Sequence, residues 1–273
     1  MILNGKDLLQ EKQNNINELQ GHILAIKKRK KILIMAHQIL GYPDFETNYR
    51  MLKLFNKYGI DLVELQIPFS EPIADGPLFL KANQESLKNG TSVEKCLSFI
   101  KKIKEEFNFS LICMTYYNIL YHYGLEKFIS KAKAIGVSGF IIPDALPEES
   151  EDYIDLCKKY RLDSILLVTP YTSLERLSSL AKKSTGMLYC VARKGVTGSK
   201  TALDDSTIDF INRCRQSTDL PLGIGFGISS IEDIQFLSGK KIDIAIMGSV
   251  FLRTLEKDGI EEVEKFLCKI KLI

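Results

Sequence analysis

Short runs of apolar and β-branched residues recur along the chain, and stretches with helical periodicity lie between them. Strict alternation of strand and helix predicts parallel strands that are joined by right-handed crossovers. Eight such units in about 240 residues predict an α/β protein, a (β/α)8 TIM barrel with an extra N-terminal helix over 6–28. The predicted strands cover 32–37, 61–67, 110–116, 138–143, 164–169, 186–192, 221–225 and 242–247. The predicted helices cover 46–58, 78–88, 92–106, 125–134, 148–160, 173–183, 205–216, 230–238 and 250–270.

The chain is expected to form one domain, because no linker, repeat or low-complexity segment divides its 273 residues. That single domain is 1–273, in which 1–31 supply the N-terminal helix and a basic segment and 32–273 form the barrel. A doubly wound open sheet is the competing fold. The one dinucleotide-like string, GFGISS at 225–230, lacks the third glycine of that fingerprint and lies near the chain end.

Charge and composition exclude several classes of partner. A formal net charge of +3 and a pI of about 8.4 are too mild to predict binding to nucleic acid or to a membrane. The basic cluster at 27–31 has no interleaved aromatic residues and is typical of a helix C-terminus. We see no signal peptide and no run of about 18 apolar residues. The six cysteines form no CxxC pair, so we expect reduced thiols in a cytoplasmic protein.

One predicted strand carries an acid in its middle. In DLVELQI at 61–67, one face is wholly apolar and the other carries Leu62, Glu64 and Gln66. The apolar face would pack under the helices, and the other face would line the barrel interior. A carboxyl there is costly unless it is used or paired, and desolvation would raise its pKa as a general acid or base requires. Glu64 is therefore a candidate catalytic residue; a salt bridge inside the barrel is the alternative.

A stiff acidic loop, SEPIADGP at 70–77, follows this strand. Its prolines restrict the backbone and Gly76 permits a turn, so the loop can hold Asp75 over the barrel mouth near Glu64. Two carboxyls in different environments can divide roles, one transferring protons and one staying ionised. The alternative for Asp75 is a turn or helix-cap residue.

Three glycine-bearing stretches follow later strands: RKGVTG at 193–198, GFGISS at 225–230 and MGSV at 247–250. In a barrel they would be the loops after the sixth, seventh and eighth strands. Adjacent loops with free backbone N–H groups, backed by a helix N-terminus, suit a phosphate monoester.

The three histidines do not predict a metal site. His22, His37 and His122 lie far apart, and no HxH or HExxH string occurs. We expect structural roles for them, although His37, at the end of the first strand, could line the pocket. No G-x-S-x-G nucleophile elbow is present.

The strand with its inward glutamate, followed by IPFSEPIADGP, GVTG, GFGIS and GS in this order, resembles the α subunit of tryptophan synthase. The resemblance runs from about residue 33 to 270, and the first motif is its most specific part. It implies cleavage of indole-3-glycerol phosphate into indole and glyceraldehyde 3-phosphate, a retro-aldol lyase reaction of tryptophan biosynthesis. It also implies that indole passes to a β subunit in an αββα complex. Pyridoxal phosphate is then expected only in the β subunit, and no cofactor in this chain.

The resemblance further implies roles for individual residues. Glu64 matches the catalytic glutamate and Asp75 the catalytic aspartate. Tyr189 matches a tyrosine near the reacting glycerol, and Thr197 matches a threonine of the loop that closes over the site. The positions expected around the phosphate are Gly198, Gly227, Gly248 and Ser249.

Four positions depart from the family pattern. Gln66 stands where a glycine is usual, on the face of Glu64, where it could crowd the pocket or hydrogen-bond that acid. Tyr42 replaces an aspartate in a loop linked to subunit coupling. Glu71 replaces an aspartate on the loop that faces the β subunit, and Lys194 replaces a small residue of the closing loop. Both acids are retained, so we expect an active enzyme, with altered coupling or slower chemistry left open.

Three other functions stay open from the sequence. A stand-alone indole-3-glycerol phosphate lyase would release free indole and would have the same catalytic residues. A non-catalytic allosteric barrel subunit would be supported by Gln66 and Lys194. Another phosphate-binding barrel, such as an isomerase of the same pathway, is disfavoured by the string PFSEPIADGP.

Overall fold

Eight parallel strands close into a barrel in sequence order, and β8 pairs with β1. The structure is a computed structural model that describes residues 17–192, 205–225 and 227–271. The strands are β1 (Leu33–Ile39), β2 (Leu62–Gln66), β3 (Ser110–Met114), β4 (Val137–Ile141), β5 (Asp163–Val168), β6 (Leu188–Val191), β7 (Leu222–Gly225) and β8 (Ile244–Met247). The predicted (β/α)8 barrel is confirmed.

Twelve helices accompany the strands in the described part of the chain. One helix precedes β1, two helices follow each of β2, β3 and β8, and one follows each other strand. They are α1 (Glu18–Lys27), α2 (Phe45–Tyr58), α3 (Pro77–Lys88), α4 (Val93–Lys104), α5 (Tyr117–Tyr123), α6 (Leu125–Ala134), α7 (Glu151–Lys159), α8 (Leu174–Lys183), α9 (Asp205–Ser217), α10 (Ile231–Ser238), α11 (Ser249–Asp258) and α12 (Ile260–Ile270). In the described ranges, none of the helices combines the length and the hydropathy of a transmembrane span.

Local sequence signals explain where individual helices begin and end. Helix α2 starts at Asp44, whose side chain accepts a hydrogen bond from the Thr47 amide, and ends at Gly59 in a left-handed conformation. Helix α10 starts with a capping box between Ser230 and Asp233. These side chains satisfy backbone donors that the first helical turn leaves free, while glycine tolerates the positive φ of a helix end.

The barrel has an interior core and an outer core. Val63 and Leu65 of β2 pack in the outer core between the strands and the helices. Leu62 of the same strand packs in the interior with Ile112 and other inward side chains. The alternation of faces along β2 is therefore the one predicted, and it turns Glu64 and Gln66 inward with Leu62.

Helix α1 covers the N-terminal end of the barrel. Leu19 and Ile23 are fully buried and belong to the interior core. Polar contacts hold the helix there: Asn17 Nδ2 donates to Asp163 Oδ1 at 2.8 Å, and Lys27 pairs with Asp243. With this end covered, the interior is approached from the C-terminal ends of the strands.

The predicted helices differ from the structure in two places, and a third predicted helix lies partly outside the described residues. The sequence predicts one helix over 250–270, but Gly259, at φ +85°, separates α11 from α12. The sequence does not predict α5, because its string YNILYHY is short and has aromatic residues with poor helix propensity. Of the predicted N-terminal helix over 6–28, positions 6–16 lie outside the described residues, and the described part contains α1.

Packing at the covered end predicts a specific loss of stability. Leu19→Ala should lower the free energy of unfolding by about 2–4 kcal/mol, because it leaves a cavity in the interior core. Leu174→Ala is the matched control: this leucine also lies in a helix but is exposed, and the change should cost less than about 1 kcal/mol. Urea unfolding of both variants measures the difference. Equal losses would contradict a sealing role for α1.

Candidate active site

Glu64 lies inside the barrel, in the middle of β2. Its side chain is 4% exposed, and its backbone is in register with His37 on β1 and Ile112 on β3. Among the contacts of described residues no cation is paired with it. The alternative offered by the sequence, a salt bridge of Glu64 inside the barrel, is therefore not seen among the described residues.

Asp75 lies on the loop between β2 and α3, above the strand that carries Glu64. Gln66 Nε2, Asn83 Nδ2 and Tyr116 Oη donate to it at 2.7, 3.3 and 3.3 Å, and all three reach the same oxygen, Oδ2. The N-cap of α3 is Gly76 rather than Asp75. The Asp75 side chain therefore faces the site instead of capping the helix.

Two buried side chains fix the acidic loop. Asn83 of α3 accepts from the Phe69 amide at 3.0 Å and donates to the Phe79 carbonyl at 2.9 Å. The Tyr116 hydroxyl accepts from the Ala74 amide at 3.2 Å. Sequence reasoning did not identify Asn83 or Tyr116. The available signal was a polar Asn83 at helical spacing from Phe79, on the face that also carries Ala82.

The environments of the two acids separate their pKa values. Burial raises the pKa of Glu64 to about 8, and the negative charge of Asp75 acts in the same direction. Burial also raises the pKa of Asp75 to about 6, but the hydrogen bonds from Gln66, Tyr116 and Asn83 oppose that rise. Near pH 7, Glu64 is therefore mainly protonated and Asp75 mainly ionised.

His37 is partly exposed and lines a pocket with Phe79 and Leu252, beside the strand that carries Glu64. Its Nε2 is 2.9 Å from Gln66 Oε1, and its ring packs edge-on against Phe79. Burial lowers the pKa of His37 to about 4, so the imidazole is neutral at physiological pH.

Tyr189 of β6 points into the same interior. Gly225 on β7 makes room for its ring: a Cβ at that position would lie 2.5 Å from the phenolic oxygen. Burial, together with the charges of Glu64 and Asp75, raises the pKa of Tyr189, so the phenol stays neutral. The structure thus brings three of the predicted site residues together.

The ends of β7 and β8 carry the glycines predicted to bind phosphate. Gly227 has a φ of +90°. Gly248 and Ser249 form the start of α11, where no side chain caps the backbone N–H groups. A Cβ on Gly248 would lie 3.0 Å from Phe79 and 3.1 Å from His37, so the backbone approaches the site closely.

Three sequence-predicted positions, Lys194, Thr197 and Gly198, lie outside the described residues. In the described ranges there is no group of three or more His, Cys, Asp or Glu side chains that could hold a metal ion.

Two of the departures from the family pattern have defined contacts. Gln66 donates to Asp75, whereas the sequence offered crowding or a bond to Glu64. The buried Tyr42 donates through its hydroxyl to Glu256 of α11. Glu71 lies exposed on the acidic loop.

A family model described as tryptophan synthase alpha chain matches residues 23–272. The chain belongs to the tryptophan synthase alpha chain family. It is 44% identical over 249 residues to the tryptophan synthase alpha chain of Desulforapulum autotrophicum, covering 91% of this chain and 98% of the relative. It is 36% identical over 248 residues to that of Methanosarcina mazei, covering 90% of each.

Solved structures agree with this family. A chain of Mycobacterium tuberculosis tryptophan synthase superposes with a TM-score of 0.87 at 25% identity, covering 94% of this chain and 98% of that one. The tryptophan synthase A-subunit of Pyrococcus furiosus superposes with a TM-score of 0.81 at 25% identity, covering 89% and 98%.

The family confirms the function expected from the sequence. The chain is a lyase of tryptophan biosynthesis that cleaves indole-3-glycerol phosphate. The comparisons support the function of a tryptophan synthase alpha chain and give no support to the alternatives that the sequence left open.

The raised pKa values predict how stability depends on pH. In the unfolded chain the carboxyls of Glu64 and Asp75 lose their protons near the ordinary pKa values of 4.5 and 3.8. In the folded chain burial raises these pKa values to about 8 and about 6. The folded state therefore binds more protons in that window, and its stability falls as pH rises through it.

Glu64→Gln removes the larger of these two contributions. From pH 5 to pH 8 the variant should lose about 2–4 kcal/mol less unfolding free energy than the wild type. Glu71→Gln, an exposed acid of the adjacent loop, is the control and should follow the wild type. Urea unfolding at both pH values measures this, and parallel losses in all three proteins would contradict the raised pKa of Glu64.

Proposed function

We propose that Glu64 and Asp75 carry out the retro-aldol cleavage of indole-3-glycerol phosphate to indole and glyceraldehyde 3-phosphate. The observation that carries this proposal is the pair of carboxyls on β2 and its loop, one protonated and one ionised near pH 7. Glu64 is buried and Asp75 is half-buried, and both lie toward the C-terminal end of the barrel, where TIM-barrel enzymes place their chemistry.

Glu64 is the proton-transfer group in this proposal. Cleavage of the bond between the indole ring and the glycerol side chain requires a proton on the ring carbon and loss of a proton from a side-chain hydroxyl. Glu64 donates the first proton and accepts the second, so that it returns to its starting state and the reaction consumes no net proton. A pKa of about 8 suits a group that acts as acid and as base near neutral pH.

Asp75 stabilises charge in this proposal. Protonation of the ring carbon leaves positive charge on the indole ring system, and an ionised carboxylate that accepts the ring N–H stabilises it. The three side-chain donors occupy Oδ2 of Asp75, which supports Oδ1 as the oxygen that meets the substrate.

The phosphate is proposed to bind at the ends of β7 and β8, against Gly227, Gly248 and Ser249. The N-terminus of α11 supports this placement, because its backbone N–H groups have no side-chain cap and the helix dipole favours an anion there. By contrast, α10 is closed by its own capping box. Thr197 and Gly198, outside the described residues, are proposed to complete the site, and Tyr189 to contact the glycerol.

A β subunit is proposed as the partner that receives indole, in an αββα complex. The exposed large apolar side chains of the described residues support a docking surface at the C-terminal end of the barrel, since all of them follow β2, β3, β4 or β5. They are Ile73, Leu80, Tyr121, Leu146, Tyr171 and Leu174. Glu71 shares the exposed loop with Ile73.

Cofactor use and location complete the proposal. The cleavage uses only side-chain proton transfer and charge stabilisation, so this chain needs no cofactor and pyridoxal phosphate belongs to the β subunit. A cytoplasmic location is supported by the free cysteines, which are typical of a reducing compartment.

Substitution of the proton-transfer group tests the mechanism. Glu64→Gln should lower kcat for indole release by about 10²–10⁴-fold while changing KM less than about threefold, because the amide fills the same space but transfers no proton. Glu94→Gln, an exposed acid of α4, is the matched control and should retain full activity. Substantial turnover by Glu64→Gln would remove Glu64 from this role.

Indole release with and without a tryptophan synthase β subunit tests the partnership. Release by the chain alone should be slow and should rise more than about tenfold with the partner. Leu146→Asp should weaken that rise and leave the slow rate unchanged, whereas Lys240→Asp, at the opposite end of the barrel, should not. Fast release by the chain alone would instead favour a stand-alone lyase. Substrate binding without turnover under either condition would favour a non-catalytic subunit.

A further inference from the structure

A fully buried amide connects β1 to the acidic loop. Gln66 is 0% exposed, its Nε2 donates to Asp75 Oδ2 at 2.7 Å, and its Oε1 lies 2.9 Å from His37 Nε2. The Gln66 Nε2 atom also lies 3.4 Å from Asn83 Oδ1. Its bond to Asp75 is the shortest of the three that this carboxylate accepts from side chains.

The partners at its two ends fix the direction of the amide. An ionised carboxylate only accepts hydrogen bonds, so the amide nitrogen of Gln66 must face Asp75 and the amide oxygen must face His37. The imidazole then donates from Nε2. Its other nitrogen, Nδ1, is buried without a hydrogen-bond partner among the described residues. The edge-on contact with Phe79 holds the His37 ring in place. The hydrogen-bonded chain from His37 through Gln66 to Asp75 is therefore fixed at its β1 end.

We propose that Gln66 is a positioning residue: its amide holds Oδ2 of Asp75 so that Oδ1 is oriented to accept the indole N–H, and His37 fixes the direction of that amide. This inference rests on the role proposed above for Asp75. It assigns a function to a side chain at a position where the family pattern has a glycine, which has no side chain to do this.

Loss of the amide has a defined consequence for pH dependence. The titratable groups that face Asp75 are Glu64 on β2, His37 on β1, Tyr116 after β3 and Tyr189 on β6. Burial keeps the imidazole neutral above about pH 4 and raises the pKa of both phenols, so the two acids alone among these groups titrate between pH 5 and 9. The Gln66 bond lowers the pKa of Asp75, and its removal should raise that pKa.

Steady-state kinetics of indole release from pH 5 to 9 test the inference. Gln66→Met keeps the side-chain length without the amide. It should lower kcat about 10–100-fold, change KM less than about threefold and move the acid limb of the profile up by about one pH unit. Gln66→Glu, which is isosteric, should move the acid limb further, because it places a second carboxyl against Asp75. Gln38→Met, at a neighbouring buried glutamine of β1, is the control and should leave the profile unchanged.

A double variant tests the part played by His37. His37→Leu should lower kcat, but in the Gln66→Met background it should cause no further loss, because the histidine acts through the amide. Additive losses of kcat in the double variant would contradict the proposal that His37 acts through the Gln66 amide. Wild-type kcat and pH profiles in both Gln66→Met and Gln66→Glu would overturn the positioning role itself.

Asp75→Asn separates this inference from the function on which it rests. Loss of activity in Asp75→Asn, together with wild-type behaviour of the Gln66 variants, would remove only the positioning role. Full activity in Asp75→Asn would contradict the proposed function as well.

Discussion

The burial of Glu64 inside a closed barrel is the constraint on which the rest of the site depends. A barrel has no open sheet edge, and α1 covers its N-terminal end, so the carboxyl is approached only past the loops at the other end. Its charged form is therefore poorly solvated, which keeps it protonated near neutral pH. Asp75 is only half-buried, and three side-chain donors stabilise its charge. The different environments of the two acids, rather than their residue types, separate their pKa values.

This arrangement has a cost that the fold must offset elsewhere. Two carboxyls held at raised pKa values lower stability across the neutral range, and neither forms an ion pair among the described residues. The compensation comes from apolar packing, in which the strands bury one face under the helices and the other in the barrel interior. The site is thus a locally unfavourable feature placed on a scaffold with a large core, which is typical of catalytic centres.

Local patterns predicted the acids, whereas long-range pairing decided their partners. Alternation along β2 was enough to turn Glu64 inward, and the proline-rich loop was enough to propose Asp75, because both signals lie in one continuous stretch of sequence, 61–77. Tyr116 follows β3 and His37 lies on β1, and only the pairing of these strands with β2 brings the two residues close to the acids. Gln66 shows the limit most clearly. Two side chains on one strand face project in parallel, so Gln66 does not turn back to Glu64 but reaches the loop that folds over the strand end.

Contacts between α3 and α11 link the two ends of the proposed substrate site. Tyr42, Phe79 and Ala82 form a small apolar core with Leu252 of α11. Around it, Tyr42 donates to Glu256 of α11, and Lys81 of α3 pairs with the same carboxylate at 3.2 Å.

Helix α3 also carries Asn83, which holds the acidic loop, while α11 begins at the glycine proposed to meet the phosphate. Because these helices pack directly together, the distance from the phosphate position to Asp75 is set by one shared core. Cleavage of a single bond between two anchored ends requires such a fixed distance. Tyr42 thus contributes to the shape of the proposed site from outside it.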